Sequence, residues 1–208
     1  MLNAAETIGQ LPDYYFQAIG SGTGAIAVTE AARRLLCDGA YGSRLPRLML
    51  SQNLPFAPIY HSWKLQQREL VKVNREDGKE QIRQIAAPVL SNMNPPYSIQ
   101  GGVFDVLRET GGDMLVADNE EALRAALLFE EAEGIDIDAA AGVAFASLLK
   151  AAREQQVDSR AQILLHITGS GWRARATLGK PVEARPSLVV EASEIGAEET
   201  LEQVAALF

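Results

Sequence analysis

The sequence predicts an α/β fold in which a parallel sheet carries helices on both faces. Strand and helix patterns alternate along the chain, the strands are continuously apolar, and glycine and proline separate the units. A strand that is apolar on both sides must be covered on both faces, which is typical of a parallel sheet. With 208 residues the chain has about the length of one domain, and we predict a single α/β domain over residues 1–208.

The first part of the chain shows two strand-to-helix units after a short helix over residues 2–10. Residues Tyr14–Ile19 form a compact apolar run typical of a buried strand, which leads through a glycine-rich turn into a helical pattern over Ala25–Leu36. A second short strand is predicted at Leu48–Leu50, followed by a helix that ends at about Leu70.

The second part begins with residues 72–85, the most polar part of the chain, which we expect to form a surface excursion. Two prolines forbid helix in the loop 91–98. Asp118 and Glu121 have the spacing of a capping box at the start of a helix over Asn119–Glu133. The remaining predicted elements are helices at 102–108, 139–153 and 197–207 and strands at 114–117, 163–167 and 188–191.

Composition and charge exclude several classes of protein. The 27 acidic residues outnumber the 19 basic ones, and no block of Lys or Arg is present, so nucleic-acid binding is not expected. The single cysteine, Cys37, excludes a disulfide framework and fits a reducing compartment. The longest apolar stretch, Ala139–Leu149, is about half of the roughly 20 residues that a membrane span needs. The first ten residues lack the features of a secretion signal, and we expect a cytoplasmic protein without membrane contact.

The strongest local signal is the glycine-rich turn Gly20–Gly24 between the first strand and its helix. Glycines allow a backbone to approach an anion closely, and a helix N-terminus directs free N–H groups towards it. A nucleotide P-loop is excluded because Ala25-Ile26 stands where Lys-Ser/Thr is required. A dinucleotide fingerprint is formally matched, but the next strand ends in residues 51–53 without the carboxylate that holds a ribose. A single phosphate group and a plain tight turn remain as alternatives.

A second glycine turn follows the predicted strand 163–167. Thr168 begins it, so its hydroxyl is expected at the same carboxyl edge of the sheet as the first glycine turn, where α/β sheets bind ligands. Irregular rigid loops often line binding sites, and we predict a substrate-lining role for four residues. These are Asn53, Asn92, Asn94 and Tyr97.

The two histidines, His61 and His166, lack metal-ligand spacing with any other residue, and no metal site is expected. Because His166 lies in an apolar run, a core position is favoured over a role as a catalytic base.

Five segments, in chain order, resemble the C-terminal half of pyridoxal-phosphate enzymes of the threonine-synthase and cysteine-synthase superfamily, which has the tryptophan-synthase β fold. The resemblance covers about residues 3–171, and two of the segments, SQNLPFAPI and SNMNPPYSIQGG, are most similar to the cysteate-synthase group. The five segments are PDYYFQAIGSGTGAIA, LPRLMLSQNLPFAPI, VLSNMNPPYSIQGG, EEAEGIDIDAAAGVAFASLLKA and ILLHITGSG.

This resemblance implies pyridoxal 5'-phosphate as the cofactor. Thr168 matches the hydroxyl residue that faces the pyridine nitrogen of the cofactor in the family. A neutral hydroxyl at that place leaves the nitrogen largely unprotonated, which suits elimination and replacement chemistry. The loop that holds the cofactor phosphate through backbone amides matches Gly20, Ser21, Gly22, Thr23 and Gly24.

The resemblance also implies a small phospho-amino acid as the substrate. Enzymes of the cysteate-synthase kind exchange the phosphate of O-phosphoserine for sulfite, whereas threonine synthases convert O-phosphohomoserine and water into threonine. Two other readings of the chain remain: a non-catalytic α/β protein that binds a phosphorylated metabolite and, less well supported, a dinucleotide-dependent oxidoreductase.

No catalytic residue is assigned within this chain. The Schiff-base lysine of the family has no match here, so we expect the chain alone to be inactive and either to self-associate or to need an N-terminal half. The lysines outside any matching motif are Lys64, Lys72, Lys79, Lys150 and Lys180.

Overall fold

A four-stranded parallel sheet forms the centre of the chain, in a computed structural model that describes residues 1–171 and 185–208. The strand order is β3-β2-β1-β4, so the first strand in sequence lies inside the sheet and pairs with the last. The strands are β1 (Tyr14–Ala18), β2 (Arg47–Asn53), β3 (Asp113–Ala117) and β4 (Ile163–Leu165).

Helices connect the strands and cover the sheet on both faces. Successive residues of a strand point to opposite faces of the sheet. Tyr15 and Phe16 of β1 are both fully buried, so both faces of the sheet are covered. The helices of this part are α1 (Leu2–Ile8), α2 (Thr23–Asp38), α3 (Pro58–Lys64), α4 (Arg75–Gln84), α5 (Val103–Thr110), α6 (Asn119–Glu133) and α7 (Ala139–Arg153).

The two faces of the sheet have separate cores. Tyr15 packs in a cluster with residues of α2, α3 and α5, including Val103 and Leu107. Phe16 packs on the other face with Met49 and with Ala151 of α7. The small side chains of α7 allow it to approach both the sheet and α6 closely. The predicted fold class, a parallel sheet between two helical layers, is therefore confirmed.

Two element predictions were wrong in extent. The third helix ends at Lys64 rather than about Leu70, and β4 ends at Leu165 rather than at residue 167. The polar excursion 72–85 contains α4, which has no apolar stripe that could have revealed it and keeps most side chains exposed. The side chain of Asn74 caps this helix by accepting a hydrogen bond from the backbone N–H of Glu76 at 2.9 Å.

The chain divides into two compact units, Met1–Arg175 and Ala176–Phe208. In the described part of the second unit, residues 188–191 form no strand, so that prediction was wrong. The predicted final helix is confirmed as α8 (Glu198–Ala205). Because the α/β architecture is described for the first unit, a single domain over residues 1–208 stays a prediction.

Candidate functional site

Two glycine turns follow neighbouring strands at the carboxyl edge of the sheet. β1 runs into the turn Gly20–Gly24, and β4 runs towards Thr168. The two strands are parallel neighbours, paired from Tyr14 with Ile163 to Phe16 with Leu165, and both continue towards the same edge of the sheet. Adjacent strands lie about 5 Å apart. The topology therefore brings the two predicted turns to one edge, on neighbouring strands.

The turn Gly20–Gly24 ends in the N-terminus of α2, a helix of 16 residues. The first intrahelical bond of this end runs from the N–H of Ile26 to the carbonyl oxygen of Gly22 at 3.1 Å. The amides from Gly22 to Ala25 precede it and have no partner within the helix. The N-cap residue, Gly22, has no side chain that could cap this end of α2. The edge therefore presents several backbone donors and the positive end of a helix dipole.

The hydroxyls of the turn add further donors. The oxygens of Ser21 and Thr23 are 3.0 Å apart, and Ser21 Oγ accepts a hydrogen bond from the backbone N–H of Thr23 at 3.3 Å. Thr23 is exposed at the first position of α2. Hydroxyl groups that bond mainly to one another can rotate towards an incoming anion.

The fold requires glycine at two positions of the turn. Gly22 has φ +79°, and a Cβ there would lie 2.4 Å from Val103 Cγ2 of α5. A Cβ on Gly20 would lie 3.1 Å from the backbone carbonyl of Leu90. Any side chain at these positions would push the turn away from its supports. The turn is therefore a backbone cradle backed by α5 and by the segment around Leu90, and this cradle fits a phosphate group.

A buried polar side chain lies directly behind the cradle. Gln17 of β1 is 8% exposed, and its Oε1 atom has no hydrogen-bond partner among the described residues. The place that a Cβ of Gly24 would occupy is 2.9 Å from Gln17 Nε2. Sequence reasoning missed this residue, because a glutamine in a central strand resembles any other interruption of an apolar run.

The second turn is fixed by the segment before α7. Thr168 itself is exposed, two positions before Ser170, which forms an isolated bridge with Ile137. The backbone N–H of Asp138 donates to the carbonyl oxygen of Gly169 at 3.1 Å. The Asp138 carboxylate also caps α7, accepting from the N–H of Ala141 at 2.8 Å. One acidic residue thus connects the Thr168 turn to the helix, a function that sequence reasoning missed.

His166 lies beside the same turn and not in the core. β4 ends one residue earlier, and the imidazole is exposed, so the predicted core position was wrong. Its Nδ1 atom is 2.5 Å from the hydroxyl oxygen of the buried Tyr15. Burial raises the pKa of Tyr15 well above its usual value. The pKa of His166 is lowered, first by partial burial and second by the charge of the Met1 amino group.

Two of the four predicted substrate-lining side chains face inward in this chain. The carboxamide of Asn53 donates to the Ala117 carbonyl oxygen at 3.0 Å and accepts from the Ala87 N–H at 3.0 Å. The hydroxyl of Tyr97 donates to the Gln67 carbonyl oxygen at 2.8 Å, and burial raises its pKa to about 12. Both residues are fully buried, so the structure gives them an internal role that holds loops together.

The other two residues stay candidates for a lining role. Asn94 is exposed and borders a cleft of about 960 Å³ together with Lys72 and Arg75. Asn92 accepts a hydrogen bond from the backbone N–H of Asn94 at 2.8 Å and shapes this loop.

The described part of the chain has no candidate membrane-spanning helix and no candidate metal site. None of its helices combines the length and the apolar character needed to cross a bilayer. Among residues 1–171 and 185–208, no three His, Cys, Asp or Glu side chains come together in a way that could hold a metal ion.

A family model described as pyridoxal-phosphate dependent enzyme matches residues 1–169. The chain belongs to this pyridoxal-phosphate-dependent enzyme family. It is 52% identical over 174 residues to the cysteate synthase of Methanocorpusculum labreanum and 47% identical over 200 residues to that of Methanosarcina mazei. These matches cover 83% and 96% of this chain but 42% and 48% of the two relatives, so the chain spans about half their length.

Solved structures of pyridoxal-phosphate-dependent enzymes share the fold. The processed form of threonine deaminase isoform 2 from Solanum lycopersicum superimposes with a TM-score of 0.61 at 12% identity, over 85% of this chain and 46% of that one. The predicted resemblance to the family, its cofactor and its fold are thus confirmed.

Proposed function

We propose that this chain is the C-terminal, cofactor-holding portion of a cysteate-synthase-like enzyme, in which the turn Gly20–Gly24 binds the phosphate of pyridoxal 5'-phosphate. The observation that carries the proposal is that the N-terminus of α2, with its free backbone amides, and the Thr168 turn follow neighbouring strands at the same edge of the sheet. A phosphate monoester has several oxygens that can accept hydrogen bonds from the amides and hydroxyls of the turn.

Thr168 has the second role in this proposal. Its hydroxyl would face the pyridine nitrogen, where a neutral group does not hold a proton on that nitrogen as a carboxylate would. The cofactor supplies an electron sink for bond cleavage at the amino-acid substrate. The chain's own residues bind the phosphate, orient the ring and set the protonation at its nitrogen.

The proposed reaction of the whole enzyme is replacement of the phosphate of O-phosphoserine by sulfite, giving cysteate and phosphate. The high identity to two cysteate synthases supports this reaction over a threonine-synthase-like conversion of O-phosphohomoserine. A lysine that would attach the cofactor is not assigned in this chain, and the chain alone is therefore proposed to bind cofactor without turnover.

The same proposal includes a cytoplasmic location and an association of the chain with a further polypeptide, either an N-terminal half or a second copy. Two leucines one turn apart on α6, Leu123 and Leu127, are each more than half exposed and support such an association. Asn92 and Asn94 are proposed to lie at the substrate entrance.

A substitution at Thr23 tests the phosphate cradle. Thr23→Asp places a carboxylate at the first position of α2, where it favours the helix but repels a phosphate. We expect the affinity for pyridoxal 5'-phosphate, measured by equilibrium dialysis, to fall at least about tenfold. Thr23→Asn, which has nearly the same shape without the charge, should stay within about threefold of the parent chain.

Pyridoxal without phosphate provides the matched ligand control. It should bind weakly to all three chains and should not distinguish Asp from Asn at position 23. Circular dichroism checks that the helix content is unchanged. If Thr23→Asp bound pyridoxal 5'-phosphate as well as the parent chain does, the phosphate would lie elsewhere and the proposal would fail.

A further inference from the structure

A separate cleft of about 600 Å³ lies at the opposite edge of the sheet, where the strands begin. The loops before β1, β2 and β4 form it, and Tyr14 and Arg47, the first residues of β1 and β2, stand side by side in the register. This volume is within the range of small-molecule sites in proteins. Nothing in the proposed cofactor chemistry uses this edge.

Hydrogen bonds between the three loops give the cleft defined walls. The N–H of Leu11 donates to the carbonyl oxygen of Tyr41 at 2.9 Å, which joins the first loop to the second. The carboxylate of Asp13 accepts from the N–H of Gln162 at 2.8 Å, which joins the first loop to the third. A cleft with such cross-links is pre-formed and does not need to be organised by a ligand.

Three arginines and two aspartates line the cleft, so positive groups are in excess by one. None of the side chains of Arg44, Arg47 and Arg160 forms an ion pair within the described part of the chain. The two aspartates, Asp13 and Asp158, each accept a hydrogen bond from a backbone N–H. In a chain of net charge −8, the three guanidinium groups of the cleft therefore remain available to an anionic ligand.

The cleft is also lined by groups that can contact the uncharged part of a small molecule. Tyr14 and Tyr41 offer aromatic surface, and Ser43 offers a hydroxyl beside Arg44. Guanidinium groups bind phosphate and carboxylate groups through paired N–H donors. We propose that this cleft binds a small metabolite that carries at least two anionic oxygen groups, phosphates or carboxylates.

Isothermal titration of the full chain with two probes, pyrophosphate and citrate, tests the cleft at constant ionic strength. We expect saturable one-to-one binding of at least one probe, and the tighter probe identifies whether phosphoryl or carboxylate groups are preferred. Arg47→Ala and Arg160→Ala should each weaken binding about tenfold. Arg124→Ala, which removes the same charge from the exposed face of α6, is the matched control and should leave the affinity unchanged.

Folding is checked separately from binding. Arg47→Lys and Arg160→Lys keep the charge but lose the paired donors, and circular dichroism shows whether each variant keeps the helix content of the parent. Binding of pyridoxal 5'-phosphate at the other edge should be the same in the Arg47, Arg160 and Arg124 variants. The proposal is overturned if neither probe binds, or if the two cleft variants and Arg124→Ala weaken binding equally, since that would be a general charge effect.

Discussion

The hydroxyl of Tyr15 contacts a histidine at the candidate site. Burial raises the pKa of this tyrosine, so its hydroxyl stays protonated at neutral pH and forms a hydrogen bond with Nδ1 of His166. Which of the two atoms donates depends on which imidazole nitrogen carries the proton. Because His166 is two positions before Thr168, the contact between Tyr15 and His166 also holds the start of the Thr168 turn against β1.

This contact predicts a dependence of stability on pH. The pKa of His166 is lowered in the folded chain, so between that pKa and the ordinary histidine value of about 6.5 the unfolded chain binds more protons. Stability should therefore fall as the pH drops from 7 to 5. The carboxylates of Asp105 and Glu109, whose pKa values are lowered, contribute stability that is lost only at lower pH, below about 4.5.

The urea concentration at the midpoint of unfolding, measured between pH 5 and 7, tests whether His166 causes this loss of stability. His166→Gln cannot titrate, and it should flatten this part of the pH profile. Tyr15→Phe removes the hydroxyl that contacts His166, and this variant should flatten the pH profile only in part. An unchanged slope in His166→Gln would show that another group is responsible.

At the level of helices, two aspartates each cap the N-terminus of a helix, so the effects of replacing them can be compared directly. Asp118 caps α6 in a reciprocal capping box with Glu121, and Asp138 caps α7. Asp138 alone also connects to the Thr168 turn, through its backbone bond to Gly169. A Cβ on Gly169 would lie 2.3 Å from the Asp138 carboxylate, so this side chain packs directly against the turn.

We predict that Asp118→Ala and Asp138→Ala each lower the free energy of unfolding by about 1 kcal/mol, as loss of a helix cap does. Affinity for pyridoxal 5'-phosphate should fall several-fold in Asp138→Ala and stay unchanged in Asp118→Ala. Denaturant titration and equilibrium dialysis measure the two effects. Equal affinities in both variants would mean that the Thr168 turn does not depend on Asp138.

Turns and helices could be predicted from the sequence where the residues that define them lie close together along the chain. The turn Gly20–Gly24 with its helix and the capping box of Asp118 follow from residues within a few positions of each other. The helix α4 has no apolar stripe, and only its packing reveals it. For Asn53 and Tyr97, the sequence indicated polar groups in the right loops but not their backbone partners, which lie between 30 and 64 positions away.

At the level of the whole molecule, the sheet order creates the candidate site. β4 inserts next to β1, and Tyr15 and His166 meet across 151 positions of sequence. No periodicity or spacing in the sequence fixes such a pairing. The α/β pattern predicted that Thr168 and Gly20–Gly24 share the carboxyl edge, and the resemblance to a family implied that they act together. The pairing of β1 with β4 supplies the physical basis for it.

The positions of the lysines lead to a prediction about the whole chain with its cofactor. Lys64 is 2.8 Å from Asp113, the first residue of β3, and so lies at the edge of the sheet away from the glycine turns. Lys79 pairs with Glu76 on the exposed helix α4. Lys150 lies in the last turn of α7 and Lys72 borders the cleft of Asn94, whereas Lys180 is outside the described residues.

Because none of these lysines matches the Schiff-base lysine of the family, pyridoxal 5'-phosphate should bind to this chain without a specific covalent attachment. After incubation with cofactor and reduction with borohydride, peptide mapping by mass spectrometry should show only low, scattered modification of lysines. Thr23→Asp should bind less cofactor but give the same scattered pattern, since the pattern does not depend on the cradle. A stoichiometric adduct at one lysine, lost in Thr23→Asp and kept in Thr23→Asn, would show instead that the chain contains its own attachment residue next to the phosphate cradle.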